Sequence, residues 1–230
     1  MIRTFSFGLA VLVLSSLQIG CAARTPKTPP GKLPLTRESR TEPTRSLDEL
    51  SAVIKNLAPM IGEYPPRFAS PQQKETVYKV WSDAFVDAKY YLDNAGNAER
   101  VLWTMAELAR EGHNMDVDGT GVLAQEVIEK CLTNFPRSVQ CHFSAADYYI
   151  AIRVSGESMA ALNRSLTFLR QKYAPKANQY VEERFVYLYA YDHQPQLAIQ
   201  QIDRYLKLFP KSPKRAEFRR MKKELKSEPT

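Results

Sequence analysis

The sequence predicts an all-α protein built from antiparallel helical hairpins, and three observations carry that reading. From Leu47 onward apolar residues recur three and four apart, with no sustained alternation of period two. Capping residues followed by proline punctuate this pattern, and one set of four positions returns 74 residues further along the chain. With 230 residues, 44% of them hydrophobic and 25% charged, the chain can bury a sizeable core. That composition is too ordinary for wholesale disorder or for many membrane spans.

Taken in order, a first helix is expected over 47–58 and a second over 71–94. The second opens on Ser70-Pro71-Gln72-Gln73, which places a hydroxyl at the cap, proline in the first turn and Gln at the third helical position. Further helices are expected over 97–111, 120–135, 138–154, 158–173, 178–192, 195–209 and 213–226, with Gln194-Pro195 and Ser212-Pro213 marking two starts. The links are short, so consecutive helices must fold back on one another. The exception is 112–121, a longer polar loop.

Ala124, Ile128, Cys131 and Pro136 stand at offsets 0, +4, +7 and +12, and Ala198, Ile202, Tyr205 and Pro210 repeat them. The small residue lets two helices approach, the next two share its face, and the proline ends the helix. The interval of 74 is two units of 37, and Leu162, Leu166 and Leu169 hold the same face between them, with Pro175 one place late. The helices ahead share a pattern too, in His142-x2-Ala145-Ala146-x2-Tyr149 and Glu182-x2-Phe185-Val186-x2-Tyr189. Together these positions resemble the tetratricopeptide repeat, a 34-residue pair of helices. Residues 179–212 match its length, with Phe185, Tyr189, Ala198, Ile202 and Pro210 in the expected places. Glu182 stands where that family has Trp, Val186 where it has Gly, and Tyr205 where it has a small residue. About two units are readable across 105–212, with degenerate pairs before them. The resemblance implies a short TPR-like α-solenoid over 47–226, followed by a tail over 227–230.

Residues 1–46 read as an address rather than as fold. A basic start at Arg3 precedes an apolar run from Phe5 to Ile19, too short for a comfortable membrane span and built like a signal-peptide core. It ends Leu17-Gln18-Ile19-Gly20-Cys21-Ala22, which resembles the bacterial lipoprotein signal, with Gln18 where that family prefers an aliphatic residue. That resemblance implies removal of 1–20 and lipidation of Cys21, and Ala22 in place of an Asp implies an outer-membrane anchor facing the periplasm. A cut after Ala23 by ordinary signal peptidase is the competing reading. Three acyl tails, at ~0.8 kcal/mol per buried CH₂, hold a protein firmly. Residues 21–46, rich in Pro, Thr and Arg, cannot bury enough apolar surface to order themselves and read as a tether reaching ~3.1 Å per residue when extended.

Net charge is +7, unevenly spread. Residues 204–226 hold ten Lys and Arg against two Glu, whereas 48–203 hold 15 basic and 20 acidic residues. A basic end on an acidic body argues against a nucleic-acid domain, which carries its charge across a folded face. Such an end meets anionic headgroups or an acidic protein, or is simply a solvated last helix.

Catalytic patterns are wanting. None of His113, His142 and His193 sits in HExxH, no serine occupies a GxSxG elbow, and no Gly-rich phosphate loop occurs, so neither an enzyme nor a cofactor is expected. Asp116-Val-Asp118-Gly119-Thr-Gly121 lacks the third acidic ligand and closing Glu of a calcium loop and reads as a turn; no metal is expected. The cysteines Cys21, Cys131 and Cys141 form no CxxC pair. Cys131 and Cys141 lie five residues either side of Pro136, so they can face each other as a disulfide across a hairpin, or serve as two small buried residues with different neighbours.

In solenoids the first helix of each pair lines the binding side, which makes Tyr148, Tyr149, Tyr187 and Tyr191 candidate partner contacts. Packing between repeats is their competing role, since Tyr187, Tyr189 and Tyr191 cannot all face one side of a helix. The expected function is a non-catalytic, lipid-anchored scaffold that binds another envelope protein. Similarity to the T-component lipoproteins associated with TRAP transporters implies the alternative, an accessory component that binds a small apolar or anionic ligand.

Overall fold

The computed structural model describes residues 42–152 and 156–227, so Cys21, the expected signal segment and most of the expected tether lie outside the described residues. Among the described residues there are nine helices and no strand: α1 (Leu47–Ile61), α2 (Pro71–Ala95), α3 (Glu99–Asn114), α4 (Thr120–Asn134), α5 (Val139–Ala151), α6 (Glu157–Tyr173), α7 (Gln179–Tyr191), α8 (Pro195–Leu208) and α9 (Arg215–Ser227). They pack as α1/α2, α3/α4, α5/α6 and α7/α8. The first helices α1, α3, α5 and α7 touch in series, each second helix touches the first helix of the following pair, and α9 closes on α8. The arrangement is thus a helical-repeat solenoid of four hairpins and a capping helix, two hairpins longer than the sequence makes readable.

Local chemistry explains the boundaries. Ser46 caps α1 through a capping box with Glu49, and Leu50, Ile54, Leu57 and Ile61 are buried at helical spacing. The helix runs through Pro59 to Ile61, beyond the expected stop at 58. A proline inside a helix costs about 3 kcal/mol through the lost hydrogen bond and the clash of its ring with the preceding turn, and full burial of Ile61, at about 1.5–3 kcal/mol, offsets much of it. Gly112 does not end α3 at 111 either. A Cβ there would stand 2.4 Å from a ring carbon of Trp81, so this glycine serves the close approach of α2 and α3 and the helix continues to Asn114. The expected loop shrinks accordingly to 115–119.

The repeated positions land in the core. Ala124, Ile128, Leu162, Leu166, Leu169, Ala198, Ile202 and Tyr205 are all fully buried, and Cys131 nearly so. Phe135 and Phe209, each just ahead of a proline, end α4 and α8 in almost the same conformation, φ −131°, ψ 65° and φ −124°, ψ 69°. A residue before proline is pushed out of the helical region, and so the helix stops at the same place in both repeats. Across the first of these turns Cys131 and Cys141 stand at disulfide distance, with Cα atoms 5.7 Å apart.

Two joints are ionic rather than apolar. Asp87, fully buried on α2, accepts hydrogen bonds from Thr44 N at 3.0 Å and Thr44 Oγ1 at 2.8 Å and pairs with Arg45 at 2.8 Å. The last residues of the expected tether are therefore fastened to the domain. At the joint of α6, α7 and α8, the 1% exposed Glu182 accepts from Arg170 at 3.0 and 2.8 Å, Gln201 at 2.8 Å and Arg204 at 2.9 Å. Burial opposes its ionisation, yet hydrogen bonds from Arg204 and Gln201 and the charge of Arg170 hold its carboxyl below the usual range. Glu182 thus makes a charged clamp at the joint of α6, α7 and α8.

Candidate functional site

Arg110, Asp147 and Arg184 stand on α3, α5 and α7 at intervals of 37, twice which is the 74-residue interval of the apolar positions, so these three successive first helices stack one charged side chain each at the same repeat position. Arg184 bridges the acids beside it: Nε donates to Asp147 Oδ1 at 3.2 Å, Nη2 forms an ion pair with the same oxygen at 3.1 Å, and Nη1 donates to Glu183 at 2.9 Å. Its guanidinium lies 3.9 Å over the Tyr180 ring, and the Tyr180 hydroxyl also donates to Asp147. Arg110 Nη2 donates to Glu107 at 2.6 Å and its Nη1 to the carbonyl of Gly62 at 2.5 Å, which ties the end of α1 to the same face.

These groups line a recess of about 420 Å³ between the end of α1 and the helices α3, α5 and α7. A second recess of about 300 Å³ adjoins it, sharing Glu63, Arg67, Asp147 and Arg184 and adding Glu183, Tyr187, Tyr191, Lys214 and Glu217. Four cations (Arg67, Arg110, Arg184, Lys214) face four anions (Glu63, Asp147, Glu183, Glu217), a balanced set of charges that Ala58, Pro59 and Met60 border with an apolar wall in the larger recess. Burial pushes the Asp147 carboxyl up from its ordinary value against the pull of Arg184 and Arg110. Burial likewise raises Glu183, against Arg184 and Lys214. Burial and the hydrogen bond from its hydroxyl to Glu217 at 2.9 Å push the Tyr187 phenol up as well. Burial and the facing cations thus pull these carboxyls in opposite directions, and burial is the larger influence on both.

The four candidate tyrosines divide. Tyr187 and Tyr191 are half-buried at the recess with ring centroids 6.1 Å apart. Tyr148 and Tyr149 are 4% and 3% exposed, packed into the core, and the Tyr148 hydroxyl is spent on the Gly121 carbonyl at 2.8 Å. They follow Asp147 by one and two residues, ~100° and ~200° round the helix, which turns them away from the face that Asp147 occupies. The ladder of Arg110, Asp147 and Arg184 was missed in the sequence, although its 37-residue interval is half that of the apolar positions.

Behind Arg110 lies a buried acid. Glu111 is fully buried and neither carboxylate oxygen has a hydrogen-bond partner; burial holds its carboxyl well above the ordinary value despite the charge of Arg110. His142 stacks on Phe168 with centroids 4.0 Å apart and bridges Ser165 at 3.2 Å and the Pro136 carbonyl at 3.1 Å. Because that carbonyl only accepts, Nε2 carries the proton and Nδ1 accepts from Ser165. In the 115–119 turn Asp116 and Gly119 take positive φ, 59° and 76°, and Gly121, in the first turn of α4, makes room for the His113 ring. Among the described residues no group of three His, Cys, Asp or Glu side chains could hold a metal ion. No described helix is long and apolar enough to cross a membrane. Comparison of the chain with protein-family models, curated proteins and solved structures finds no match.

Proposed function

We propose that this chain is a lipid-anchored, periplasm-facing scaffold of the bacterial envelope that takes a segment of another envelope protein into its charged recess and performs no chemistry on it. The observation that carries the reading is the ladder of Arg110, Asp147 and Arg184, flanked by the half-buried rings of Tyr187 and Tyr191. Arg110 and Arg184 are themselves buried, 4% and 8% exposed, and form the floor of the recess; an extended polypeptide would meet the exposed Glu63 and Arg67 and the half-buried Asp147, with its side chains resting on the Tyr187 and Tyr191 rings. The anchor rests on Phe5–Ile19 and Gly20-Cys21-Ala22, and the disulfide-distance pair Cys131 and Cys141 accords with an oxidising compartment.

The small-ligand alternative draws support from the volume of about 420 Å³, within the ~300–1,000 Å³ of ordinary ligand sites. Such sites carry only a few polar groups on a mainly apolar wall; here Ala58, Pro59 and Met60 share the lining with five charged side chains, Glu63, Arg67, Arg110, Asp147 and Arg184, more charge than such a site usually holds, which favours the scaffold. The test is retention of crosslinked envelope partners by the intact protein and by a variant carrying Arg67→Glu and Tyr191→Ala. Loss of most of the retained partner with helicity preserved is expected; equal retention by the variant refutes the recess as the binding site.

A further inference from the structure

The last two helices present a cationic surface that their packing leaves unspent. Helix α9 turns Phe218, Met221 and Leu225 inward at helical spacing, with Phe218 edge-on to Tyr205 at 4.8 Å. Arg215, Arg219, Lys223 and Lys226 run along one flank at steps of four, four and three. The ion pair of Lys222 with Asp203 lays that flank beside α8, where Lys207 lies one turn beyond Asp203. Arg215 donates to the Leu206 carbonyl at 2.8 Å, next to Lys207, and Lys211 sits in the turn joining the two helices. The neighbouring acids are committed: Asp203 to Lys222, Glu217 to Lys214 at 3.2 Å and Glu224 to Arg220 at 3.8 Å. Lys207, Lys211, Arg219, Lys223 and Lys226 remain exposed and without an ion pair among the described residues.

We propose that this surface docks on an anionic phospholipid bilayer, the five side chains engaging phosphate headgroups. Composition decides between a lipid surface and an acidic protein. Protein interfaces deplete lysine and rely on buried aromatic or apolar anchors. Here four of five cations are lysines, and Leu208, 40% exposed, is the one large exposed apolar side chain among the described residues of this surface. Clusters of four to eight Lys and Arg beside an anchored segment are the usual recognition chemistry for anionic headgroups, at about 1 kcal/mol per basic residue. The biological weight of the contact rests on the anchoring reading above, because a lipid at Cys21 would keep the surface within reach of the bilayer and supply the first of two membrane signals.

The experiment uses the chain from residue 21 onward, which contains every described helix, with Cys21→Ser so that lipid cannot bind covalently. Flotation with phosphatidylethanolamine vesicles containing phosphatidylglycerol is compared with flotation on phosphatidylcholine alone. Partition onto the anionic vesicles is expected to exceed that onto the neutral ones by more than ~100-fold and to fall steeply with salt. Replacing the five cations together (Lys207→Gln, Lys211→Gln, Arg219→Gln, Lys223→Gln, Lys226→Gln) is expected to abolish the difference, and replacing the four lysines by arginine to preserve it. Equal partition of the unsubstituted protein onto both vesicles, undiminished binding by the glutamine variant, or tighter retention on immobilised polyglutamate than on vesicles overturns the proposal. The wild-type arm decides even where a variant misfolds. Failure here leaves lipidation untouched, since the mass of Cys21 in the native host reports on that separately.

Discussion

Replacing Glu182 with Ala removes the carboxylate that joins α6, α7 and α8. The side chain is 1% exposed and holds Arg170, Arg204 and Gln201 at 2.8–3.0 Å, so its loss leaves both guanidinium groups without their carboxylate, while Gln201 keeps the Glu182 carbonyl at 2.9 Å. Breaking a fully buried pair costs about 3–5 kcal/mol. Arg170 and Arg204 are 33% and 51% exposed along their side chains and can turn to water, which brings the expected cost down to about 2 kcal/mol. For a domain of this length that is a fall in Tm of about 4–8 °C. Glu182→Gln, which keeps the shape but not the charge, should lose less. The pH dependence follows from the lowered carboxyl: above the unfolded-state value near 4.5 the folded protein holds the ionised form more tightly, and the advantage disappears as pH falls through the lower folded value. Thermal melts by circular dichroism from neutral to acidic pH measure both effects. A Tm for Glu182→Ala within 1 °C of wild type at neutral pH would refute the clamp.

Glu111 behaves in the opposite sense. Its raised carboxyl stays protonated when the unfolded chain has ionised, so stability should fall as pH rises above about 4.5. Chemical denaturation of Glu111→Gln against wild type is expected to show a gain for the variant that grows toward neutral pH; a constant offset would contradict this. Burial lowers the His142 imidazole despite its bond to the Pro136 carbonyl, so stability should drop as pH falls below the unfolded value of ~6.5. His142→Gln is expected to flatten that part of the pH profile in the same melts. Closure of the 10-residue separation between Cys131 and Cys141 should contribute about 2–3 kcal/mol. The corresponding measurement is the Tm of protein purified from the periplasm with and without reductant, together with a thiol count, where two free thiols would contradict the bridge.

Much of the fold was legible because burial leaves a mark on sequence. Ala124, Ile128, Ala198, Ile202 and Tyr205 recur at fixed offsets since the same inter-helix seam recurs, and Pro136 and Pro210 stop their helices by local sterics alone. Where expectation and structure part, the deciding partner is distant in sequence. The sequence marks Gly112 as a loop start, but the Trp81 ring sets its role; α1 outlasts Pro59 because Ile61 finds a fully buried seat. The site was less legible still. Tyr148 and Tyr149 belong to a first helix, yet a turn of ~100° per residue carries them off the face that Asp147 presents. Which face a charged residue lines depends on neighbouring helices, as Arg110, Asp147 and Arg184 illustrate: their common spacing is visible in the chain, their convergence only in the fold.

The central claim is that the face carrying Arg110, Asp147 and Arg184 receives a polypeptide in the envelope. Site-specific photocrosslinking in living cells tests it most directly, with the crosslinker placed in turn at Arg67 and Tyr191 in the recess and at Lys130 and Val122 on α4. The account predicts one discrete protein adduct from the two recess positions and none from α4. Adducts of equal yield from all four positions, or from α4 alone, would contradict it.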